Sequence, residues 1–231
     1  MNRKTWHESV FESGMHVIKD KLKRALNFVE KGYLKQAEIL YLQCVDVLGE
    51  GSSEYEQALH GLAYVKMDLG HFEDARDLYR KLLEIAREKG HKEREAIVYH
   101  QLGMVEQMAG QYSEARRFFQ AERAVYESHH PDFYLGLAAN WYEEGIMSLK
   151  ERDLTSAHKH FTVSLDYAKQ SGDLVAIGCA YRGLGDSWQK TGDEDKAHAY
   201  FAQAKEVFWR AGDEKAVKEV DNRLRNDHHM P

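Results

Sequence analysis

The sequence predicts an all-α fold, an α-α superhelix of about five helix–turn–helix repeats closed by a C-terminal capping helix. Two observations carry this prediction. A short motif recurs five times at a spacing near 40 residues, and apolar residues recur at helical spacing on both sides of each copy. The copies are "EKGYLKQAEILY" at 30–41, "DLGHFEDARDLY" at 68–79, "MAGQYSEARRFF" at 108–119, "KERDLTSAHKHF" at 150–161 and "KTGDEDKAHAYF" at 190–201.

Each copy has an alanine at its centre and an aromatic residue four positions later. The alanines are Ala37, Ala75, Ala115, Ala157 and Ala197, and the aromatic residues are Tyr41, Tyr79, Phe119, Phe161 and Phe201. Twelve residues before each alanine stands a second small residue, in order Ala25, Ala63, Gly103, Gly145 and Gly185. A glycine inside a helix costs about 1 kcal/mol relative to alanine, so the three glycines need a reason. We expect close approach of the backbone of the paired helix to supply it.

Glycine also marks the turns. Gly32, Gly70, Gly110 and Gly192 follow the first helix of four copies, where a left-handed backbone suits glycine. The fourth copy has Arg152 there, at a cost of about 1 kcal/mol if the same geometry is kept, so we expect a looser or differently shaped fourth turn. The second helices are followed by Gly90, Gly172 and Gly212, and by Pro131 at the third boundary.

The two ends of the chain differ from the repeats. Residues 1–17 are predicted to form an N-terminal extension or capping helix with Trp6, Val10 and Phe11 on one face, which either covers the first repeat or docks a partner. The repeats span 18–212, a polar capping helix spans 213–225, and 226–231 form a disordered tail. Phe208 and Trp209 lie beside the cap, where they either support a homodimer through the C-terminal end or are buried under 213–225.

The motif resembles the tetratricopeptide repeat (TPR) family over residues 18–210. The matching segments are "WYEEG" and "YRGLG" in the first helices, and "GQYSEA" and its equivalents at the turns. The standard unit of about 34 residues is shorter, and a period near 40 also occurs in armadillo and HEAT repeats. The usual proline between repeats is missing. The longer units resemble those of bacterial peptide-responsive regulators of the Rap and PlcR type.

The resemblance implies a binding module whose first helices line a concave groove for a peptide or an extended protein segment. The positions predicted to face outward on those helices are His60, Tyr64, Met67, His100, Met104, Gln107, Tyr142, Ile146, Arg182, Asp186 and Gln189. Exposed apolar and methionine-rich surface is typical of a binding site. In the other interpretation these residues partly bury one another. Arg182 and Asp186, four residues apart, either anchor a peptide or brace their own helix.

Two functional hypotheses remain open for this groove. The first is a non-catalytic scaffold that binds a protein or a short peptide. The second is a peptide-sensing signalling regulator that resembles the Rap and PlcR class but lacks an output domain of its own, because residues 1–17 are too short for one. The lysine, asparagine and arginine clamp with which some TPR domains hold a C-terminal carboxylate is absent from the matching positions.

Other functional classes find little support. The net charge of −6 does not favour nucleic-acid binding. "GLGDSW" at 183–188 lies inside a predicted helix without the preceding strand of a dinucleotide fingerprint, and the histidines show no metal-ligand spacing. We therefore expect no catalytic residue, cofactor or metal. Two cysteines, no signal peptide and no membrane-spanning apolar run predict a cytoplasmic protein.

Overall fold

The structure is a computed structural model that describes the backbone of residues 3–226 and the side chains of residues 14–225. Within 3–226 the chain forms eleven α-helices and no strand, which confirms the all-α class. The helices are α1 (Arg3–Glu30), α2 (Leu34–Val47), α3 (Ser53–Asp68), α4 (Phe72–Glu88), α5 (Lys92–Met108), α6 (Tyr112–His129), α7 (Tyr134–Lys150), α8 (Leu154–Ser171), α9 (Leu174–Thr191), α10 (Glu194–Ala211) and α11 (Glu214–Asn226).

The chain divides into two compact units, residues 1–115 and 116–231, and each is described by itself. In the first unit α1 packs on α2 and α3, α3 packs on α4, and α4 packs on α5. In the second unit α7, α8, α9, α10 and α11 pack in the same consecutive order, and α7 also contacts α9. The odd-numbered helices α1 to α9 are thus the first helices of five repeats, and the even-numbered helices α2 to α10 are the second.

The turns within the repeats have the expected left-handed residue in all five copies. Gly32, Gly70, Gly110 and Gly192 have φ values of +74°, +79°, +77° and +82°. Arg152 has a φ of +63°, so the prediction of a differently shaped fourth turn is wrong. Its amide donates to the carbonyl of Leu149 and the next amide, that of Asp153, donates to Ser148, the pattern that Gly192 and Asp193 repeat. These hydrogen bonds hold the arginine in a conformation that its Cβ disfavours.

In three repeats the closing aromatic residue packs where a neighbouring helix lacks a Cβ atom. Phe161 in α8 is fully buried, and a Cβ built on Gly145 of α7 or on Gly183 of α9 lies 2.5 Å from its ring. One phenyl ring therefore fills the space against the first helix of its own repeat and that of the next. Tyr41 packs in this way on Gly61, and Phe201 on Gly185. The sequence predicts that the backbone of the paired helix approaches Gly145 and Gly185. At both sites an aromatic ring contacts the glycine instead.

A second contact between repeats comes from the residue after each central alanine. It touches the first helix of the following repeat. The contacts are Glu38 with Lys66 at 2.8 Å, Arg76 with Glu106 at 2.6 Å, Arg116 with Glu144 at 2.6 Å, and His158 with Trp188 at 4.1 Å between ring centroids. Three of the four are ion pairs, so the residue after the alanine and its partner in the next repeat carry opposite charges. The sequence prediction did not include the position after the central alanine, although the opposite charges of the paired residues are present in the sequence.

The ends of the chain extend the helix stack. Residues 3–17 are continuous with the first repeat, because α1 runs unbroken from Arg3 to Glu30. The side chains of Trp6, Val10 and Phe11 lie outside the described residues, as does the tail 227–231, while Asn226 ends α11. Phe208 is fully buried in a cluster with Ala216 and Val220 of α11, whereas Trp209 is 74% exposed. Phe208 is therefore buried under the capping helix, and Trp209 faces solvent.

Replacing Arg152 with glycine tests the strain in the fourth turn. We expect Arg152→Gly to raise the free energy of unfolding by about 1 kcal/mol, because glycine adopts a positive φ without a Cβ penalty. The matched control is Gly192→Arg in the fifth repeat, at a φ of +82° with open space around it, and it is expected to lower stability by a similar amount. Urea denaturation followed by circular dichroism measures both. Equal stability of both variants and the parent contradicts the strain.

Replacing Gly145 with alanine tests the packing of Phe161. The added Cβ lies 2.5 Å from the buried ring, and overpacking of this kind costs about 1–3 kcal/mol, more than the helix propensity gained. We expect a net loss of stability in urea denaturation. The control is Gly14→Ala in α1, where nothing lies within 4 Å of the added Cβ; there, helix propensity alone acts and stability rises. A gain in both variants would show that the ring does not need the glycine.

Candidate functional site

In the first unit, α3 carries three of the predicted groove residues. Tyr64 is 36% exposed and His60 is half-buried, its ring 5.7 Å edge-on from that of Tyr79. Burial lowers the pKa of His60, so its imidazole is neutral at neutral pH. Met67 is only 4% exposed, which corrects its assignment to an outward-facing surface. It stands four residues after Ala63, on the side of the helix that packs inward.

The next first helix in this unit, α5, repeats the pattern. His100 and Met104 are half-buried, and Gln107 is only 6% exposed. Gln107 follows Gly103 by four residues, as Met67 follows Ala63, and the same geometry turns it inward. The outward-facing assignment of Gln107 is therefore corrected too. The face that remains accessible in this unit carries His60, Tyr64, His100 and Met104.

A cavity of about 310 Å³ opens between α3, α4 and α5 and shares His60 with this face. It is lined by Ser53, Glu56, Gln57, His60, Leu82, Ala86, Arg94, Ile97 and Val98. Leu82, Ala86 and Val98 form an apolar floor, and Ile97 stands 42% exposed at the side. Of the predicted residues only His60 lines it. The residue in the sequence that could have indicated this cavity is Ile97, an isoleucine near the start of α5 that the structure leaves exposed.

The rim of this cavity is charged. Glu56 is 8% exposed and is bound by two cations, Lys89 with its Nζ 2.5 Å from Oε1 and Arg94 on the other oxygen. One carboxylate therefore faces two positive side chains, which leaves a local excess of one positive charge. The side chain of Arg94 is 49% exposed, so its guanidinium has donors that reach solvent. The cavity can take an apolar side chain, with a hydrogen-bond donor beside it for a carbonyl or a carboxylate.

In the second unit, the predicted residues of α7 lie against the core. Tyr142 and Ile146 are partly buried on the cluster that contains Phe161 and Leu184. The hydroxyl of Tyr142 accepts a hydrogen bond from Arg182 at 3.2 Å, and burial raises its pKa to about 12. The phenol is therefore a neutral structural group here. These positions favour the self-packing interpretation in the second unit.

The predicted groove residues of α9 are Arg182, Asp186 and Gln189, and the first two contact α11 instead of an open groove. Arg182 donates to Glu219 at 3.0 Å, and Arg223 donates to Asp186 at 2.7 Å, so both predicted residues are bound to α11. The expected i,i+4 interaction, within one helix or towards a peptide, is replaced by two ion pairs that fasten the capping helix. Gln189 is half-buried. These two residues of α9 thus bind the capping helix. The sequence did not indicate these pairs, because the residues in each are 37 positions apart.

One serine–histidine contact and both cysteines have surroundings that disfavour nucleophilic chemistry. Ser148 lies 3.2 Å from His160 Nδ1, but Ser148 is fully buried and its hydroxyl donates to the Glu144 carbonyl. Cys44 and Cys179 are free thiols, and burial raises the pKa of each. A raised pKa disfavours the nucleophilic thiolate.

The described residues 3–226 contain no group of three or more His, Cys, Asp and Glu side chains placed to hold a metal ion. None of the described helices combines the length and the apolar character that a membrane span requires.

Comparison with known proteins places the repeats. The tetratricopeptide repeat model matches residues 54–128, which run from α3 into α6. Among solved structures, BtubC (BKLC) from P. vanneervenii is 17% identical with a TM-score of 0.70, covering 90% of this chain and 87% of that one. At this identity the likeness shows the fold alone.

Two further solved structures have a similar fold. Aspartyl phosphate phosphatase F from Bacillus subtilis is 13% identical with a TM-score of 0.70, covering 93% of this chain and 60% of that one. A Rap protein complexed with competence and sporulation factor is 17% identical with a TM-score of 0.63, covering 90% and 63%. This chain therefore spans less than two thirds of either protein. The resemblance seen in the sequence is confirmed: residues 54–128 match the tetratricopeptide repeat model, and the chain has the fold of TPR-like helical solenoids.

Proposed function

We propose that this chain is a non-catalytic interaction module that binds a peptide or an extended segment of another protein on its first helices. The observation that carries the proposal is the cavity between α3, α4 and α5. It combines an apolar floor, the exposed Ile97 and the half-buried His60 with a charged rim at Glu56 and Arg94. Apolar pockets supply affinity for a bound segment, and sparse polar groups set its register.

The accessible residues beside the cavity extend the proposed surface along α3 and α5. Tyr64 is 36% exposed and Met104 is half-buried, so both large side chains combine solvent access with apolar area. A tyrosine offers a rigid ring with a polar end, and a methionine adapts to irregular ligands. In the second unit, taken by itself, Tyr142 and Ile146 can contribute to binding only through the portions of their side chains that packing on the core cluster leaves exposed. Arg182, Asp186 and Gln189 contribute only where α11 leaves them accessible.

The peptide-sensing regulator is the second candidate. The structure of a Rap protein complexed with competence and sporulation factor supports it, because that protein has the same fold and a bound factor. In this hypothesis a peptide changes the arrangement of the helices and so the surface offered to a signalling partner. Small-angle scattering with a bound peptide separates the two candidates: compaction favours the regulator, and an unchanged profile favours the scaffold.

The remaining expectations follow from charge and composition. A chain with a net charge of −6 suits protein partners better than nucleic acid. Two free cysteines suit the reducing cytoplasm, where disulfides are rare. Trp209, 74% exposed beside the cap, makes the C-terminal end one candidate surface for a homodimer.

Truncation of the accessible side chains tests the proposed surface. Peptides are first selected against the parent protein from a random display library, and their affinities are then measured by isothermal titration calorimetry. We expect Tyr64→Ala and Met104→Ala each to weaken binding about tenfold, since each removes apolar contact area worth about 1–2 kcal/mol. Helicity measured by circular dichroism stays unchanged.

The matched control for these variants is Arg80→Ala, which truncates an exposed side chain on the outer side of α4. It is expected to leave the peptide affinity unchanged. Unchanged affinity in both Tyr64→Ala and Met104→Ala, or failure to select any peptide, counts against binding on the first helices.

A further inference from the structure

The second helix of every repeat has one line of residues that faces solvent. The line consists of the positions two before and two, five and nine after the central alanine, and all four are exposed in all five repeats. At 100° per residue these positions fall within about 60° of arc. In α2 they are Lys35, Ile39, Leu42 and Asp46, and they lie opposite the buried line Ala37, Tyr41 and Cys44. We call these four residues the outer line of α2.

The other four repeats show which residues the fold needs on this line. Their residues are Glu73, Asp77, Arg80 and Glu84 in α4; Ser113, Arg117, Gln120 and Ala124 in α6; Thr155, Lys159, Thr162 and Asp166 in α8; and Asp195, Ala199, Ala202 and Glu206 in α10. These sixteen residues are polar, charged or alanine. Ile39, 55% exposed, and Leu42, 40% exposed, are the large apolar residues on the line. Because the fold does not require them, they indicate an external partner for α2.

The charges at the two ends of the outer line indicate what that partner is. Lys35 precedes the apolar pair and Asp46 follows it, each four residues away. Both are exposed, and neither forms an ion pair with the residues that the structure describes. The order from the helix start is positive, apolar, apolar, negative. This pattern is complementary to itself when a second copy runs antiparallel, because each charge then meets the opposite one.

We propose that α2 packs antiparallel on α2 of a second copy of this chain, forming a homodimer about a two-fold axis. The axis passes between Ile39 and Leu42, so Ile39 of one protomer packs on Leu42 of the partner subunit and the reverse. Lys35 then pairs with Asp46 of the partner subunit, twice by symmetry. An isologous contact of this kind uses one surface twice and closes on itself.

The area of this contact sets the strength of the dimer. α2 has fourteen residues and is about 21 Å long, so two such helices bury less than the ~800 Å² per partner of a standard stable interface. The homodimer is therefore weak and forms at micromolar or higher concentrations. Sedimentation velocity over a range of concentrations detects it as a sedimentation coefficient that rises with concentration.

Charge reversal distinguishes this geometry from other modes of self-association. K35D and D46K each turn two attractive pairs into two repulsive ones, and each is expected to raise the dissociation constant about tenfold. The double variant K35D/D46K restores both pairs with their signs exchanged, and its dissociation constant returns to within about twofold of the parent. Both residues are exposed, so the variants keep the fold, and circular dichroism verifies it.

Three further variants complete the test. L42D removes dimerisation, because it places a charge at the apolar centre. K159D, on the same line of α8, leaves the dissociation constant unchanged, and so does W209A. The proposal is overturned if the parent is monomeric at all concentrations, if K35D/D46K does not recover the dimer, or if W209A abolishes it while K35D has no effect. The last outcome assigns self-association to the C-terminal end.

Discussion

The packing of an aromatic ring on glycines of neighbouring first helices determines how the repeats stack. Phe161 is the clearest case, because its buried ring fills the space above Gly145 in α7 and Gly183 in α9. A ring that touches the first helix of its own repeat and that of the next sets the separation of both. In the first unit Tyr41 packs on Gly61, in the first helix of the next repeat. The ion pairs after the central alanines then act at distances that this packing has already set.

The stacking of first helices also explains why much of the predicted groove is half-buried. Residues four positions after the small residue, such as Met67 and Gln107, lie on the inward side of their helix and lose their solvent access. The accessible surface shrinks to positions near Tyr64 and Met104 and to the cavity beside Ile97. In the second unit α11 continues the same stacking, so Arg182 and Asp186 bind the cap. The proposed binding is thus limited to the surface that stacking leaves free.

The fold was predictable because it depends on a repeated local pattern. Spacing alone located the central alanines, the closing aromatics and the turn glycines, and each has the role expected of it or a close variant. Arg152 was misjudged because hydrogen bonds from the turn override its own preference. The site was less predictable, because exposure depends on which helix lies next in space. The pairing of Arg182 with Glu219 joins residues 37 apart, and no periodic pattern reveals it.

Binding on the first helices is the central claim of this account. Hydrogen–deuterium exchange of the protein with a library-selected peptide tests it most directly, because the method reports which backbone segments the peptide protects. Added protection is expected in α3 and α5, at 53–68 and 92–108, with the exchange of α2 unchanged. Protection confined to the second helices, or to α10 and α11, would contradict it.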